Sequence, residues 1–217
     1  MNKNWIFLSL ILLITSAANL IGQQVALNEW RVHIPYSHPR FVVDDGEKIF
    51  TANNLSMYSF DKEDNSVQRF SKVSGMSDVG ADGLAFNRNT GTLVVAYDNS
   101  NIDLRTDGRI TNYPFIKEAS IVGDKSIYHV HFKGDSAYLS CGFGIVVLNT
   151  DLVESPATYF FNTIAGTQIR VNAVSTQANS IYAATEEGLY VADLSNPLLE
   201  DFSLSLIHIS EPTRPSS

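Results

Sequence analysis

The sequence predicts an all-β protein, an incomplete β-propeller of about four four-stranded antiparallel blades that form an open arc. The first observation is a short strand phrase that occurs four times, each copy followed by a turn and a second apolar strand. The second is its constant spacing, because equivalent residues of successive copies lie 44 positions apart. A period of about 40–45 residues built from short strands is typical of propellers, in which one period forms one blade. The equivalent residues are Ile49, Leu93, Ala137 and Ile181.

Two columns of the repeat have a packing interpretation. One column holds only small residues, and we expect these to be buried between blades, where neighbouring sheets approach closely. The other lies in the turn to the next strand and holds glycine or asparagine, for which we expect positive φ or a close approach of the backbone. The small column is Ala52, Ala96, Ser140 and Ala184, and the turn column is Asn54, Asn99, Gly142, Gly144 and Gly188.

Residues 1–22 have the pattern of a secretory signal peptide. Lys3 supplies the positive start, and an apolar run of ten residues follows from Trp5 to Ile14. A transmembrane helix needs about 20 apolar residues, so the pattern favours a signal peptide over a retained membrane anchor. We expect cleavage after Ala18 or Gly22, and an exported protein at the outer-membrane surface or in the periplasm with no transmembrane segment.

Residues 204–217 break the repeat, and no strand of a blade is expected after Phe202. Their sequence resembles the translation of a transposase adapter used in sequencing libraries, so we predict a non-native, adapter-like tail; a natural polar tail is the alternative. The propeller part is then residues 23–203, which at 44 residues per blade accommodates about four blades. A ring with a period of this size usually takes six to eight blades, within the range of four to eight known for propellers. We expect this arc to stay open, with apolar end faces that promote association.

Composition excludes several classes of partner. The chain has 217 residues, of which 44% are hydrophobic and 18% charged, as in ordinary folded domains. Its net charge of −8 argues against nucleic acid and against membranes held by a basic surface. Cys141 is the only cysteine, so a disulfide or a CxxC metal site cannot form within the chain.

The first blade begins after a lead-in strand predicted at residues 29–36. Asp45-Gly46 is a strong hairpin signal between the apolar runs that begin at Phe41 and Lys48. The acidic turn of residues 61–65 lacks the glycine and the distal glutamate of a calcium loop, so we interpret it as a solvated hairpin. The second blade follows the connector Ser74 to Asp78.

The third blade contains the one candidate metal pair. His129 and His131 are two positions apart on a strand, so both rings point to one face. No third ligand is identifiable, since His33 and His38 are at least a blade away. A polar strand side that faces solvent or a neighbouring blade is the favoured interpretation. The fourth blade runs from Val171 to about Asp193.

Longer phrases resemble known families. The connector Gly75 to Asp78 and the strand of residues 92–97 are similar to ligand-sensing propellers of two-component regulators. Residues 30–36, 93–104 and 142–148 more narrowly resemble the amino-terminal propeller family of PorZ, a surface component of the type IX secretion system. This resemblance covers residues 29–193. Family members continue through more blades, a second propeller and a sorting domain.

The resemblance implies a non-enzymatic module of the attachment complex that processes type IX cargo and joins it to anionic lipopolysaccharide. Its partners would be other protein components of that complex, with lipopolysaccharide bound through a part beyond this chain. The alternative is the periplasmic sensor propeller of a hybrid two-component regulator that binds a polysaccharide fragment. A propeller lyase or hydrolase would need His, Arg or Glu clustered at one channel mouth. No nucleophile elbow, phosphate loop, dinucleotide or zinc-protease motif occurs, so we predict no catalytic, cofactor-binding or metal residues.

Overall fold

The computed structural model describes residues 34–163, 165–197, 199 and 207–209. These residues form four four-stranded antiparallel sheets, each of which is a simple meander in sequence order. The first sheet contains β1 (Phe41–Asp44), β2 (Lys48–Ala52), β3 (Met57–Asp61) and β4 (Val67–Phe70). The second contains β5 (Ala81–Asn87), β6 (Thr92–Tyr97), β7 (Ile102–Thr106) and β8 (Arg109–Tyr113). The third contains β9 (Ile127–Lys133), β10 (Ser136–Cys141), β11 (Gly144–Asn149) and β12 (Glu154–Phe160). The fourth contains β13 (Val171–Gln177), β14 (Ser180–Thr185), β15 (Leu189–Asp193) and β16 (Ile207–Ile209).

The prediction of an incomplete all-β propeller is confirmed. Ile49, Leu93, Ala137 and Ile181 each occupy the second position of the second strand in their sheets. The only described helices are the one-turn α1 (Phe115–Glu118) and a 3₁₀ turn at Lys72–Ser74, and both lie in connectors between sheets.

Two sequence predictions about the ends of the arc are wrong in part. No strand was expected after Phe202, and this is wrong for Ile207–Ile209, which pair with Leu189–Val191 as the outermost strand of the fourth sheet. An outer strand needs a partner on one side only, so a short segment of any origin can add to such an edge. The lead-in strand is wrong for residues 34–36, which are not in a strand, and residues 29–33 lie outside the described part. The signal peptide of residues 1–22 also lies outside the described residues.

Successive sheets stack face to face through apolar side chains. We call the side of a sheet toward the preceding sheet its front face and the side toward the following sheet its back face. Side chains alternate along a strand, so Leu93 and Val95 of β6 lie on the front face and Val94 and Ala96 on the back face. Leu93 and Val95 join a core cluster with Phe50 and Met57 of the first sheet.

The same stacking repeats at the next two junctions. The back face of the second sheet, which includes Val94 and Ile102, packs against Ala137 and Leu139 of the third sheet. The back face of the third sheet, with Tyr138 and Val147, packs against Ile181 and Ala183 of the fourth sheet. Each core cluster therefore joins two consecutive sheets, and the first and fourth sheets share none.

The small column is buried at three of its four positions. Ala52, Ala96 and Ser140 are at most 2% exposed, each on a back face that the next sheet covers. Ala184 is exposed, so the prediction is wrong there. The reason is its position on the back face of the fourth sheet, against which no described sheet packs.

The turn column is partly as predicted. Gly144 and Gly188 have φ values of 145° and 138°, which side chains rarely tolerate. Asn54 and Asn99 do not have positive φ, so asparagine does not replace glycine here. In the second sheet the left-handed residue of this turn is Ser100, at φ 66°.

The two equivalent alanines provide a matched test of the stacking. Replacing Ala96 with Leu places a large side chain in a fully packed junction and should lower the free energy of unfolding by about 1–3 kcal/mol or more. Ala184→Leu adds the same atoms at the equivalent exposed position and should change it by less than about 0.5 kcal/mol. Urea unfolding of both variants measures the difference. Equal effects of the two substitutions would contradict the stacking order.

Candidate functional site

Two connectors between sheets are joined by one carboxylate, Asp78. Its Oδ2 accepts hydrogen bonds from Nδ2 of Asn99 at 2.9 Å and Nδ2 of Asn101 at 2.8 Å, both in the β6–β7 hairpin. It also accepts one from Nζ of Lys117 in α1 at 2.8 Å, while Oδ1 accepts from Nζ of Lys72 at 3.2 Å. Asp78 thus ties the connector before the second sheet to the connector after it.

The electrostatic consequence is a carboxylate held in its charged form. Burial alone would raise the pKa of Asp78, but the hydrogen bonds from Lys117, Asn99, Asn101 and Lys72 outweigh it. The pKa of Asp78 therefore lies well below its usual value. The two lysines keep 58% and 40% of their side chains exposed, so solvent weakens their share of the stabilisation.

A second carboxylate, Asp103, lies fully buried beneath this cluster, on the front face of the second sheet. Its Oδ2 accepts a hydrogen bond from the Ser77 backbone N–H at 2.8 Å and from the Tyr97 hydroxyl at 2.5 Å. Its Oδ1 accepts from Nδ2 of Asn112 at 3.0 Å. Burial and the hydrogen bond to Asp103 raise the pKa of Tyr97, so Tyr97 remains a neutral donor.

These contacts give the Gly75–Asp78 motif a structural role. Gly75 ends the 3₁₀ turn at φ 99°, Ser77 donates to buried Asp103, and Asp78 binds the next connector. The sequence pattern identifies the motif, but it does not identify the buried partner Asp103 or Asn112, which donates to Asp103. The available signal was a charged residue between the apolar residues Ile102 and Leu104 of β7. Such a residue is buried only when its oxygens are paired.

His129 and His131 lie on one face of β9, as their spacing predicts, and this face is the back face of the third sheet. They are the cross-strand partners of Ser140 and Tyr138. Both rings contact β13 of the fourth sheet. Nδ1 of His129 accepts the Val174 N–H at 3.4 Å, and Nε2 of His131 accepts the Thr176 N–H at 3.1 Å. Both side chains therefore face the neighbouring sheet, which agrees with the favoured interpretation of this strand side.

Within the described ranges, no group of three or more His, Cys, Asp or Glu side chains is placed to hold a metal ion.

Cys141 is fully buried and packs in the junction of the second and third sheets. Burial raises the pKa of its thiol, so it behaves as a small apolar residue. The acidic turn of residues 61–65 joins β3 to β4 as a hairpin. Asp61 in this turn pairs with Lys48 at 2.7 Å.

The front face of the first sheet and the back face of the fourth are uncovered in the described part of the chain. The front face of the first sheet forms an open hollow of about 420 Å³, and Val42, which lines this hollow, is 72% exposed. The back face of the fourth sheet carries Tyr182, Ala184, Leu189 and Val191. These residues lie 44 positions after Tyr138, Ser140, Ile145 and Val147 of the third sheet. The back face of the fourth sheet thus repeats, position for position, the back face of the third sheet, which the fourth sheet covers. The hollow is lined by Pro39, Arg40, Phe41, Val42, Ile49, Thr51, Tyr58 and Phe60.

No helix in the described residues is both long and apolar enough to cross a membrane.

The repeat and its junctions agree with a family comparison. The family model described as the TSS9, PorZ, N-terminal β-propeller domain matches residues 49–203. The match covers well over half of the chain. The chain belongs to this PorZ propeller family. The two uncovered faces therefore belong to a PorZ-family propeller, of which the structure describes four sheets.

A solved structure of PorZ from Porphyromonas gingivalis is similar to the chain at 28% sequence identity, with a TM-score of 0.69. PorZ of that bacterium is described as an essential bacterial surface component of the type IX secretion system. The match covers 78% of this chain and 22% of the PorZ chain, so the present chain spans about a fifth of that protein.

Two further solved structures share the fold. The extracellular domain of BT4673, assigned to a hybrid two-component system of B. thetaiotaomicron, is 16% identical with a TM-score of 0.62. That match covers 81% of this chain and 24% of the other. Apo AztD from Citrobacter koseri is 10% identical with a TM-score of 0.52, over 72% of this chain and 43% of its own. No curated protein matches the chain.

The Asp78 cluster has a measurable stability effect. Asp78→Asn removes the charge that two lysines contact and should lower the free energy of unfolding by about 1–2 kcal/mol at pH 7. Because the folded pKa of Asp78 is depressed, this stabilisation is present above about pH 4 and is lost as pH falls further. The difference between wild type and variant should therefore shrink from pH 7 to pH 3. Asp151→Asn, at an exposed hairpin position, is the control and should change little. A pH-independent difference would rule out the charge-based account.

Proposed function

We propose that the chain is part of an exported, non-enzymatic PorZ-type protein that acts in the type IX secretion system attachment complex at the outer-membrane surface. The observation that carries this proposal is the family match over residues 49–203, together with 28% identity to PorZ of P. gingivalis. The role of the module is to contact other protein components of the complex that processes cargo and joins it to anionic lipopolysaccharide.

The architecture supports a binding role through its connectors. Lys72, Asp78 and Lys117 come from two successive connectors and hold each other within 2.8–3.2 Å. A surface fixed by such contacts is already organised before a partner arrives, so less conformational entropy is lost on binding. Stacked sheets beneath it supply a rigid base.

Lipopolysaccharide attachment belongs, in this proposal, to a part of the protein other than residues 23–203. The chain has a net charge of −8, and six of the twelve described lysines and arginines pair with carboxylates. An acidic surface does not attract an anionic glycolipid. The second candidate, a polysaccharide-sensing propeller, has the likeness to BT4673 in its favour, but 16% identity supports the fold alone.

Disruption of the gene in its own bacterium tests the proposal. We expect proteins that carry type IX sorting domains to lose their surface attachment and accumulate unprocessed, and the intact gene to restore attachment. Normal cargo attachment combined with loss of a transcriptional response to a polysaccharide would favour the sensor function and exclude the secretion role.

A binding assay tests the lipopolysaccharide part separately. The purified chain should show no salt-sensitive binding to anionic lipopolysaccharide in a pull-down with labelled glycolipid. Vesicles of neutral phosphatidylcholine provide the background level. Salt-sensitive binding above that background would place an attachment surface within this chain and contradict the proposed division.

A further inference from the structure

The junction between the third and fourth sheets contains a histidine contact that the other described junctions lack. His131 on β9 points across the junction, and its Nε2 accepts the backbone N–H of Thr176 on β13 at 3.1 Å. The same nitrogen lies 2.9 Å from the Thr176 hydroxyl. His129 makes the parallel but longer contact to the Val174 N–H at 3.4 Å.

These contacts satisfy donors at an open strand edge. β13 is the first strand of its sheet and pairs with β14 on one side only. Val174 and Thr176 are alternate residues, so their N–H groups point the same way, and both donate to imidazole. Unpaired N–H groups at a strand edge are exposed to competing partners. The two histidines thus cap the inner edge of the fourth sheet from the third.

The equivalent positions at the other junctions cannot do this. Equivalent positions are found from the residue that each one pairs with on the second strand of its sheet. By this pairing, Gly83 and Ala85 of the second sheet correspond to His129 and His131. Phe41 and Val43 take these places in the first sheet. None of these four positions has a side-chain hydrogen-bond acceptor, so the contact occurs at one of the three junctions that the structure describes.

A ring nitrogen that accepts an N–H bond must carry a lone pair. Nε2 of His131 is therefore unprotonated and its proton is on Nδ1, while His129 has the opposite tautomer. Protonation would place an N–H of the ring against an N–H of the backbone, so both backbone contacts would be lost, and the protonated Nε2 of His131 would keep only the Thr176 hydroxyl as a partner. We propose that His131, assisted by His129, is a pH-sensitive latch that holds the fourth sheet to the third when neutral and releases its inner edge when protonated.

The surroundings favour the neutral form. Burial lowers the pKa of both rings, and the nearby charge of His129 lowers that of His131 further. Tyr138, the cross-strand partner of His131, is kept neutral because burial raises its pKa. His129 is more exposed than His131, so His131 makes the larger contribution.

The charged groups around the junction are engaged elsewhere. On β9, the Nζ of Lys133 donates to the Ala178 carbonyl at 2.8 Å. Before β13, Arg170 pairs with Glu186 at 2.8 Å and lies over the ring of Tyr128. Asp124 accepts the Tyr128 hydroxyl. None of these carboxylates is bonded to either imidazole, so a protonated ring would find no counter-ion among the described side chains.

The sign of the pH effect follows from the lowered pKa values. A histidine that is harder to protonate in the folded protein contributes stability above its ordinary pKa, about 6.5, and loses it as pH falls toward the folded value. The latch therefore holds at neutral pH and opens under mild acid. This inference is independent of the proposed secretion function.

Hydrogen–deuterium exchange of the whole chain tests the latch. We expect the protection of the Val171–Gln177 peptide, corrected for intrinsic exchange, to fall by about tenfold or more from pH 7.5 to pH 5.5. The Ala81–Asn87 peptide, from the equivalent strand of the second sheet, should not fall. His129→Gln combined with His131→Gln should abolish the pH dependence, whereas His38→Gln, at an exposed site, should leave it intact. An unchanged wild-type peptide, or an equal fall in the double variant, overturns the proposal.

A measurement on the wild type keeps the proposal testable if the double variant does not fold. Nitrogen-15 spectra of the imidazoles should show the proton of His131 on Nδ1 and that of His129 on Nε2 at pH 7.5. The loss of these tautomers on acidification should coincide with shifts of the Val174 and Thr176 amides. A protonated Nε2 on His131 at pH 7.5, or amides that stay unchanged while the ring titrates, would show that no latch exists.

Discussion

The close approach of successive sheets is the constraint on which the rest of the structure depends. A four-stranded sheet of this size has two apolar faces, and it becomes stable when each is covered by a neighbour. Ala52, Ala96 and Ser140 allow this because a small side chain at the point of closest approach lets the larger residues around it interlock. Ala184 occupies the same position without a neighbour and is exposed.

Polar contacts decide how the stack is joined at its rims and junctions. Asp103 is unusual on a front face because it is an acidic residue, whereas the equivalent positions of the third and fourth sheets hold Val146 and Tyr190. Its burial is tolerated because Ser77, Tyr97 and Asn112 supply donors. Asp78 above it joins two connectors, so the second sheet is held by charge as well as by packing. The third junction uses imidazole instead, which makes it the junction most sensitive to acid.

The amount that could be predicted from sequence differs between packing and polar contacts. The 44-residue spacing placed Ile49, Leu93, Ala137 and Ile181 correctly, because a repeat forces equivalent residues into equivalent environments. The exposure of Ala184 was not predictable from the repeat, since burial depends on whether another sheet follows. The strand at Ile207–Ile209 was also missed, because pairing at a sheet edge uses the backbone and leaves almost no sequence signal.

The partners of individual polar groups could not be predicted in this way. His129 and His131 were placed on one face by their spacing, but the sequence does not show that the facing groups are backbone N–H donors of β13. Asp78 was part of a recognised motif, while its link to Lys117 spans 39 positions between two irregular connectors. Contacts of this kind depend on the angle between sheets, which no local pattern encodes.

Methyl–methyl NOEs test the order of the stack most directly. Among cross-peaks between different sheets, we expect those of Val95 to reach the first sheet, those of Leu139 the back face of the second, and those of Ala183 the back face of the third. Each set joins neighbours within one of the three core clusters. The account predicts these three sets and no cross-peak that bypasses a sheet. Cross-peaks between the first and third sheets, or the absence of any set, would contradict the face-to-face arrangement on which the propeller assignment rests.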